Sequence, residues 1–244
     1  MRQSHSEPAA LRDARALIIG VGGLGSPAAM ALAEAGVGML GLIDPDRVEL
    51  SNLHRQPLYD DADIGRPKVE AAASHLRAAH AALRLETWRT RFDTDAAALL
   101  DGFDVVLDGT DSVAAKFAVN DATVARGVPL VHAGAIGTRA QLLTIIPGAS
   151  ACYRCLFEEP PPADEVASCQ EAGVLGPSVV LAGSLQAADA IRVLCGATPL
   201  FADRLLTFDT RDGAWRRVIV TARPGCPACG VLHQASITQR SVGS

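Results

Sequence analysis

Short apolar runs alternate with longer amphipathic stretches over the first half of the chain. Buried strands are predicted where the apolar residues are continuous or alternate and turn residues follow, at 14–20, 38–44, 83–88, 104–107 and 129–132. Helices are predicted where the apolar spacing is helical, at 24–35, 67–79, 95–100 and 113–126. Strands that alternate with helices in this way are typical of a parallel sheet covered by helices on both faces.

The pattern changes in the second half of the chain. A strand is predicted at 141–146 with no helix directly behind it, and a long apolar helix is predicted at 179–194. Two late strands, at 204–208 and 215–220, are expected to be antiparallel. We therefore predict an α/β fold with a Rossmann-like, mostly parallel sheet that continues into antiparallel strands and a cysteine knuckle.

Two segments have a composition that does not suit a packed core. Three consecutive prolines and four acids in 157–170 predict a mobile loop, and the polar stretch 234–244 predicts a disordered tail. No internal repeat or low-complexity linker interrupts the remainder. The residues 1–244 are therefore expected to form one domain.

Composition and charge exclude several classes of protein. Hydrophobic residues make up 49% of the 244 residues, which is enough for a sizeable core, and the net charge is −5 without a run of Lys or Arg. A nucleic-acid partner and an anionic membrane surface are therefore not expected. No apolar run approaches the ~20 residues that span a bilayer, and residues 1–10 lack a signal-peptide core, so we expect a cytoplasmic protein.

Four glycines lie where the first strand turns into the first helix, in the motif Gly20-Val-Gly22-Gly23-Leu-Gly25. Glycines there permit a tight turn, and the free N–H groups of a helix N-terminus attract phosphate. Asp44 ends the second strand, where an acid can hold ribose hydroxyls. Alone, this pattern predicts a dinucleotide site with NAD as the default ligand, and a glycine turn without any nucleotide is the alternative.

The next stretch suits a triphosphate better than NAD. Arg55 lies in the segment 51–56 (SNLHRQ) and Lys68 ends the segment GRPK, both after the second strand. Two cations at this end of the sheet could offset phosphate charge as the bonds to the α-phosphorus change. No Walker-type GxxxxGK[ST] is present. The alternative is that Arg55 is a solvated surface ion and Lys68 a charge on a helix surface.

Two carboxylates follow the fourth strand. Asp108 and Asp111 belong to the segment DGTDS, and oxygen ligands at the carboxyl end of a parallel strand can hold Mg²⁺. The alternative is helix capping, because Thr110, Asp111 or Ser112 could cap the helix predicted at 113–126. The sequence alone leaves both interpretations open.

Six cysteines without an export signal do not suggest a disulfide framework. Cys152 and Cys155 form one CxxC pair, and Cys226 and Cys229 form another, so four thiolates could hold a structural zinc ion. A redox dithiol at CPAC is the alternative, although no helix follows it to lower a thiol pKa. Cys169 lies in the predicted mobile loop and could be an accessible nucleophile.

The motifs GVGGLGSP, DPD, SNLHRQ, GRPK, GTDS, CYRC, CQEAGVLGP and PGCPACG occur in the order seen in the MoeB/ThiF/HesA adenylyltransferases. The chain resembles this family, the bacterial relatives of ubiquitin-activating enzymes, over about residues 11–230. The resemblance implies that Mg·ATP is used to adenylate the C-terminal glycine carboxylate of a ubiquitin-like sulfur carrier ending in Gly-Gly. Pyrophosphate is released, in molybdopterin, thiamine or related sulfur-transfer biosynthesis. It also implies a homodimer.

The resemblance further implies roles for individual residues. Gly23 would lie against the phosphates, Asp44 would bind the ribose, and Asp111 would be the acid linked to Mg²⁺ beside the α-phosphate. The four paired cysteines would hold structural Zn²⁺. The catalytic residues implied are Arg55, Lys68, Asp111 and Cys169. The nucleotide-site residues implied are Gly20, Gly22, Gly23, Gly25, Asp44, Asp46, Ser51, Asn52, Leu53, His54, Arg55, Gln56, Lys68, Asp108, Asp111 and Ser112.

The chain departs from the family at its N-terminal segment, where an arginine usually reaches the partner subunit's ATP site. Arg2 lies close to the glycine motif and lacks the aromatic residue expected before it. Either Arg2 serves on a shortened arm, or Arg12 substitutes for it, or activity is reduced. Three further hypotheses stand beside carrier adenylation: adenylation of a peptide or small-molecule carboxylate in a natural-product pathway, NAD-dependent oxidation, and an inactive binding scaffold.

Overall fold

An eight-stranded sheet forms the centre of the computed structural model, which describes residues 9–161 and 173–232. In chain order the strands are β1 (Arg15–Ile19), β2 (Met39–Ile43), β3 (Arg84–Trp88), β4 (Val105–Asp108), β5 (Leu130–Ile136), β6 (Arg139–Ile145), β7 (Arg204–Asp209) and β8 (Ala214–Ile219). Across the sheet they follow the order β3-β2-β1-β4-β5-β6-β7-β8. The first five strands are parallel and the last three are antiparallel, which confirms the predicted fold class.

Helices cover the sheet and precede or follow its strands. The α-helices are α1 (Ala9–Asp13), α2 (Gly25–Glu34), α3 (Lys68–Ala79), α4 (Val113–Arg126), α5 (Tyr153–Leu156) and α6 (Gly176–Leu194). Short 3-10 helices lie at Leu50–Arg55, Asp61–Asp63 and Asp95–Leu100. Within the described residues no helix is long and apolar enough to cross a membrane.

The structure refines the sequence-based predictions at three places. The helix predicted at 95–100 is confirmed over the same residues, and it is a short 3-10 helix. The 3-10 helices at Leu50–Arg55 and Asp61–Asp63 were not predicted, because they have no apolar period. Of the predicted loop 157–170, residues 157–161 have no regular structure, whereas 162–170 and the predicted tail lie outside the described residues.

Alternate residues of the parallel strands pack into two separate cores. On one face Ala16 and Ile18 of β1 belong to a core that includes buried residues of α2, α3 and α6. On the other face Leu17 and Ile19 pack in a core that includes Val119 and Val124 of α4 and Leu100. Because successive side chains of a strand point to opposite faces, one continuous apolar run serves both cores. This explains why the strand signal in 14–20 is unbroken.

The strand order reverses at β1, which pairs with β2 on one side and with β4 on the other. The connections after β1 and β4 therefore leave the sheet on opposite faces, and a crevice opens between them at the carboxyl ends of the strands. Ligands of open α/β sheets bind in such a crevice. The fold thus determines where the site must be sought.

The long helix α6 is tied to the sheet by buried polar bonds. Gln186 donates to the carbonyl oxygens of Asp108 (2.9 Å) and Val131 (2.6 Å), which lie in β4 and β5. Asp189 accepts from the hydroxyl of Thr144 and from the backbone N–H of Leu200. These bonds fix the position of α6 against the part of the sheet where the parallel strands meet the antiparallel strands.

Replacing Gln186 with methionine should lower stability, because two buried carbonyl oxygens would each lose a donor. The expected loss is about 1–3 kcal/mol in the free energy of unfolding, measured by denaturant titration. Ser184→Ala on the same helix is the control, since the Ser184 side chain is exposed and bonds only within the helix. Equal stability of the Gln186→Met variant and the wild type would contradict this account of α6.

Candidate functional site

A cleft of about 460 Å³ lies at the carboxyl ends of β1, β2 and β4. Its walls are the glycine motif, the segment after β2, part of the 3-10 helix Leu50–Arg55 and the loop between β4 and α4. These are the connections that the reversal of strand order brings together. The cleft therefore coincides with the position that the topology predicts.

Two of the four glycines in the motif are required by close backbone contacts. A Cβ at Gly25 would lie 1.9 Å from the carbonyl oxygen of Gly20. A Cβ at Gly20, where φ is +87°, would lie 2.7 Å from the carbonyl oxygen of Gly109. By contrast, a Cβ at Gly22 would meet nothing closer than 3.5 Å. Gly20 and Gly25 thus shape the turn, and Gly20, Gly22 and Gly23 line the cleft.

The acid at the end of β2 is buried and holds the glycine motif. Asp44 accepts hydrogen bonds from the backbone N–H groups of Val21 (2.7 Å) and Asp46 (2.9 Å). Burial raises the pKa of the Asp44 carboxyl, and the nearby Lys68 ammonium and these two N–H groups act in the opposite direction. The hydroxyl of Tyr59 donates to the carbonyl oxygen of Val21 (2.7 Å) and secures the same turn from the other side.

Lys68 begins α3 and reaches into the cleft. Its ammonium nitrogen lies 3.1 Å from a carboxylate oxygen of Asp46 and 3.9 Å from one of Asp44. The residue is only 6% exposed, so this cation is held away from bulk water. A desolvated cation interacts more strongly with a bound anion than a surface lysine would. The prediction that places Lys68 on bound phosphates stays a prediction, and its position suits that task.

The segment 51–56 contributes only some of its side chains to the cleft. Asn52, Arg55 and Gln56 line it, whereas Ser51 and His54 are exposed outside it. Leu53 packs against the apolar core. The 3-10 turn directs Asn52 and Arg55, three residues apart, to the same side, and Gln56 lies just beyond the end of that helix.

Arg55 is oriented by its own helix. Its guanidinium donates to the carbonyl oxygen of Ser51 (2.9 Å) and to the side-chain oxygen of Asn52 (2.5 Å). Gln56 is 3% exposed, and its side-chain oxygen has no hydrogen-bond partner within the described residues. The wall thus carries one fixed cation and one buried amide that is free to accept a hydrogen bond.

The two carboxylates after β4 have different surroundings. Asp111 is exposed, lines the cleft and makes no hydrogen bond through its side chain within the described residues. Ser112 is the residue that caps α4, because its hydroxyl accepts from the N–H of Ala115 (3.1 Å). The capping alternative therefore applies to Ser112, and the Asp111 carboxylate is left available for a ligand.

Asp108 is fully buried and does not line the cleft. Its carboxylate accepts from the Lys116 ammonium (3.2 Å), from His132 Nδ1 (2.8 Å) and from the N–H and hydroxyl of Thr110 (2.9 and 2.7 Å). Burial raises the pKa of Asp108, but Lys116, His132 and Thr110 outweigh it and hold the pKa well below its usual range. Asp108 therefore supports the loop from behind the cleft, and the nucleotide contact predicted for Asp108 stays a prediction.

Some cleft residues were not identified in the sequence. Thr90, Arg91 and Phe92, which follow β3, line the cleft, and so do Arg47 and Glu49, which follow β2. The same rule that located Asp44 could have located Arg91 and Phe92, because they also lie just beyond the carboxyl end of a parallel strand. Arg91 adds a further cationic side chain to the site.

The four paired cysteines come together on the face of the sheet that carries α4. Their sulfur atoms all lie within 4.8 Å of one another. Cys152 is 3.6 Å from Cys226, and Cys155 is 3.4 Å from Cys229. Tetrahedral zinc with Zn–S bonds of about 2.3 Å requires sulfur atoms about 3.8 Å apart, so the four residues fit such an ion.

The thiols of the cluster differ in their surroundings. Burial raises the pKa of the Cys152 thiol to about 12. At Cys226 burial acts in the same direction, but the backbone N–H groups of Cys229 and Ala228 outweigh it and lower the pKa to about 7. The backbone N–H of Arg223 donates to the sulfur of Cys155 (3.4 Å). Each CxxC pair contacts the other, which favours one four-sulfur site over an isolated dithiol.

A second depression of about 550 Å³ crosses the antiparallel strands. It is lined by residues of β5 to β8, including Gly134, Arg139 and Arg216, and it shares Ala135 with the cleft. Cys169 and Arg2 lie outside the described residues, so their predicted roles stay predictions.

The amino-acid sequence is similar to those of a known family of proteins. The family model described as "ThiF family" matches residues 3–228. The chain is 40% identical over 226 residues to a sulfur carrier protein adenylyltransferase of Thermus thermophilus, covering 90% of this chain and 83% of that protein. It is 41% identical over 226 residues to "Adenylyltransferase and sulfurtransferase MOCS3" of Anopheles gambiae, covering 92% of this chain and 51% of that protein. The chain thus spans about half the length of the MOCS3 relatives it matches.

Among solved structures, E. coli MccB with MccA-N7isoASN superposes with a TM-score of 0.82 at 23% identity. The match covers 91% of this chain and 68% of MccB. At that level of identity the similarity establishes the fold.

Substitution of single glycines should separate the two roles within the motif. Gly25→Ala should destabilise the protein by at least about 2 kcal/mol, because the new methyl group would overlap the Gly20 carbonyl. Gly22→Ala, whose new methyl group has ordinary contacts, should change stability by less than about 1 kcal/mol. Thermal and denaturant unfolding measure both, and equal effects would contradict the assignment.

Proposed function

The chain belongs to the ThiF family, and from this premise we propose that it adenylates the C-terminal glycine carboxylate of a ubiquitin-like sulfur carrier. The co-substrate is Mg·ATP and the products are the acyl-adenylate and pyrophosphate. The observation that carries the proposal is the arrangement of Lys68, Arg55 and the free Asp111 carboxylate around one cleft at the reversal of strand order.

The reaction needs positioning and charge neutralisation more than proton transfer. An oxygen of the carrier's carboxylate forms a bond to the α-phosphorus, and the bond from that phosphorus to the β-phosphate oxygen breaks, so pyrophosphate leaves. A carboxylate is already nucleophilic, so no general base is required. Lys68 and Arg55 offset the charge that develops on the phosphate oxygens.

The remaining contacts of the nucleotide follow from the walls of the cleft. Each carboxylate oxygen of Asp44 accepts one backbone N–H and keeps a lone pair that could accept a ribose hydroxyl. The backbone at Gly22 and Gly23 lines the cleft, where it would contact phosphate oxygens. Asp111 supplies an oxygen ligand for Mg²⁺, which would neutralise charge on the phosphates.

The depression over the antiparallel strands would admit the extended end of the carrier. It meets the cleft at Ala135, so a chain terminus lying in it would point its carboxylate at the bound nucleotide. The 40% identity to an enzyme named for a sulfur carrier protein favours a carrier over a peptide or a small-molecule carboxylate. The cations beside the cleft favour a triphosphate over NAD.

We also propose that the four-cysteine cluster binds a structural zinc ion. The thiolates of Cys152, Cys155, Cys226 and Cys229 complete a tetrahedral set with no position left for substrate. The cluster is anchored to α4, because the N–H of Tyr153 donates to Asn120 (2.9 Å). Thiolate metal sites suit a reducing compartment, in keeping with a cytoplasmic protein.

A homodimer completes the proposal. Leu50, at the start of a 3-10 helix that borders the cleft, is 68% exposed, and Leu175 before α6 is 44% exposed. A second copy would cover this apolar surface and would bring the two clefts near the interface.

Carrier adenylation is tested by ATP–pyrophosphate exchange with a small ubiquitin-like protein ending in Gly-Gly. Arg55→Ala should slow exchange by roughly 10²–10³, the effect of losing one preorganised donor, and Asp111→Ala should abolish the Mg²⁺-dependent turnover. Arg77→Ala, on the exposed face of α3, is the control and should retain full exchange. Tight binding of NAD without measurable binding of ATP would overturn the proposal.

The zinc proposal is tested by metal analysis of the purified protein. We expect about one zinc per chain, coordinated by four sulfur atoms. Cys152→Ser should lose the metal and lower the unfolding temperature, whereas Cys195→Ser should do neither, since Cys195 is exposed and lies outside the cluster. A metal-free protein with a reversible Cys226–Cys229 disulfide would be inconsistent with the proposal.

A further inference from the structure

A buried acid outside the cleft organises the segment that carries Lys68. The Asp63 side chain is 2% exposed, and it accepts from the Arg66 guanidinium and from His75 Nε2, each at 2.6 Å. It also accepts from the backbone N–H of Asp60 (3.2 Å). None of these four residues lines the cleft, so the cluster would not contact a nucleotide bound there directly.

The segment next to this cluster is fastened to the chain that follows β2. The N–H of Gly65 donates to the carbonyl oxygen of Val48, and the N–H of Val48 donates to that of Arg66, each at 2.9 Å. The N–H of Lys68 then donates to the carbonyl oxygen of Asp46 (2.9 Å). These three backbone hydrogen bonds form a short ladder that holds the segment 65–68 against the chain after β2. The ladder thereby places the ammonium group of Lys68 beside Asp44 and Asp46.

The same cluster also forms hydrogen bonds with two residues in the middle of α3. His75 lies two turns after Lys68 on that helix, and the neighbouring Ser74 accepts a hydrogen bond from Arg66 (3.1 Å). Burial raises the pKa of Asp63, but His75, Arg66 and the N–H of Asp60 outweigh it and lower the pKa below its usual range. An ionised carboxylate therefore joins the segment before α3 to the middle of α3.

We infer that Asp63 is a positioning residue, which acts through Arg66 and His75 to hold the segment 65–68 and thereby the ammonium group of Lys68. The inference rests on the proposed function only for the identity of the phosphates that Lys68 contacts. Without Asp63, Arg66 and His75 lose the acceptor that they share. The segment 65–68 is then no longer joined to the middle of α3, and the start of the helix is free to move.

A cation bound by Asp60, Asp63 and His75 is the other interpretation of this cluster, since their ligand atoms lie within 4.8 Å of one another. The carboxylate of Asp63 already accepts from the cationic guanidinium of Arg66. That charge opposes a second cation at the same carboxylate, so the positioning role is the one that the contacts favour.

The lysine content of the chain makes the inference directly measurable. Lys68 and Lys116 are its two lysines, and both are buried. Amine labelling of the ligand-free protein, quantified at each lysine by peptide mass spectrometry, reports the exposure of each. Asp63→Ala should raise the labelling rate of Lys68 by about tenfold or more, since the change opens its surroundings locally. Lys116, which bonds Asp108 and the carbonyl oxygen of Ala133, should change by less than about twofold.

The second lysine separates positioning from general destabilisation. In folded Asp63→Ala protein, a similar rise at Lys68 and Lys116 would mean that the change loosens the whole protein, and an unchanged Lys68 would mean that Asp63 does not hold it. Either result overturns the inference. Asp101→Ala is the matched control, since it removes an exposed Asp–Arg ion pair with Arg126 at the far end of α4 and should leave both rates unchanged.

A conservative variant keeps the test decisive if Asp63→Ala fails to fold. Asp63→Asn preserves the volume and one acceptor for Arg66, so the labelling rate of Lys68 should lie between those of the wild type and the alanine variant. No rise at Lys68 in a folded Asp63→Asn protein would overturn the inference.

Added ATP distinguishes failure of the inference from failure of the proposed function. In the wild type, ATP should protect Lys68 from labelling, and calorimetry should show ATP binding about tenfold weaker in Asp63→Asn. If ATP neither binds nor protects in the wild type, the proposed function fails. The labelling contrast between the two lysines in ligand-free protein would still decide the role of Asp63.

Discussion

The close approach of two loop backbones at the reversal of strand order is the contact on which the rest of the site depends. The turn after β1 and the turn after β4 meet so closely that a side chain at Gly20, Gly25 or Gly109 would overlap a neighbouring carbonyl group. This approach leaves both turns facing one cleft at the carboxyl ends of the strands. The glycines are thus required by the fold itself, whatever the cleft binds.

A buried lysine lies on either side of this contact. Lys68 lies beside the buried Asp44 and the exposed Asp46 at the end of β2, and Lys116 pairs with the buried Asp108 at the end of β4. Burying a charge is unfavourable unless it is paired and hydrogen-bonded, so Asp44 and Asp108 each accept at least two hydrogen bonds. The first pair faces the cleft and the second supports the loop from behind. Lys68 is therefore placed to contact a ligand in the cleft, whereas Lys116 supports the loop from behind.

Helix α4 (Val113–Arg126) connects the cleft to the cysteine cluster. Its first turn follows the loop that carries Asp111, and near its end Asp121 forms a bidentate ion pair with Arg154, between the two cysteines of the first pair. The ring of Tyr153 packs against Phe117 and His132, beside the buried Asp108. A metal at the cluster would stabilise the region that supports the cleft while remaining apart from the reaction.

The amino-acid sequence by itself determined the alternation of strands and helices, the glycine turn at 20–25 and the pairing of cysteines, because these are local patterns of spacing and residue type. It could not decide whether Asp108 or Asp111 lines the cleft, or which side chains of 51–56 reach it. It also did not reveal that Asp63 joins the segment before α3 to His75. Those facts depend on contacts between residues far apart in the chain and on the direction in which each side chain points. Only the packed tertiary structure sets both.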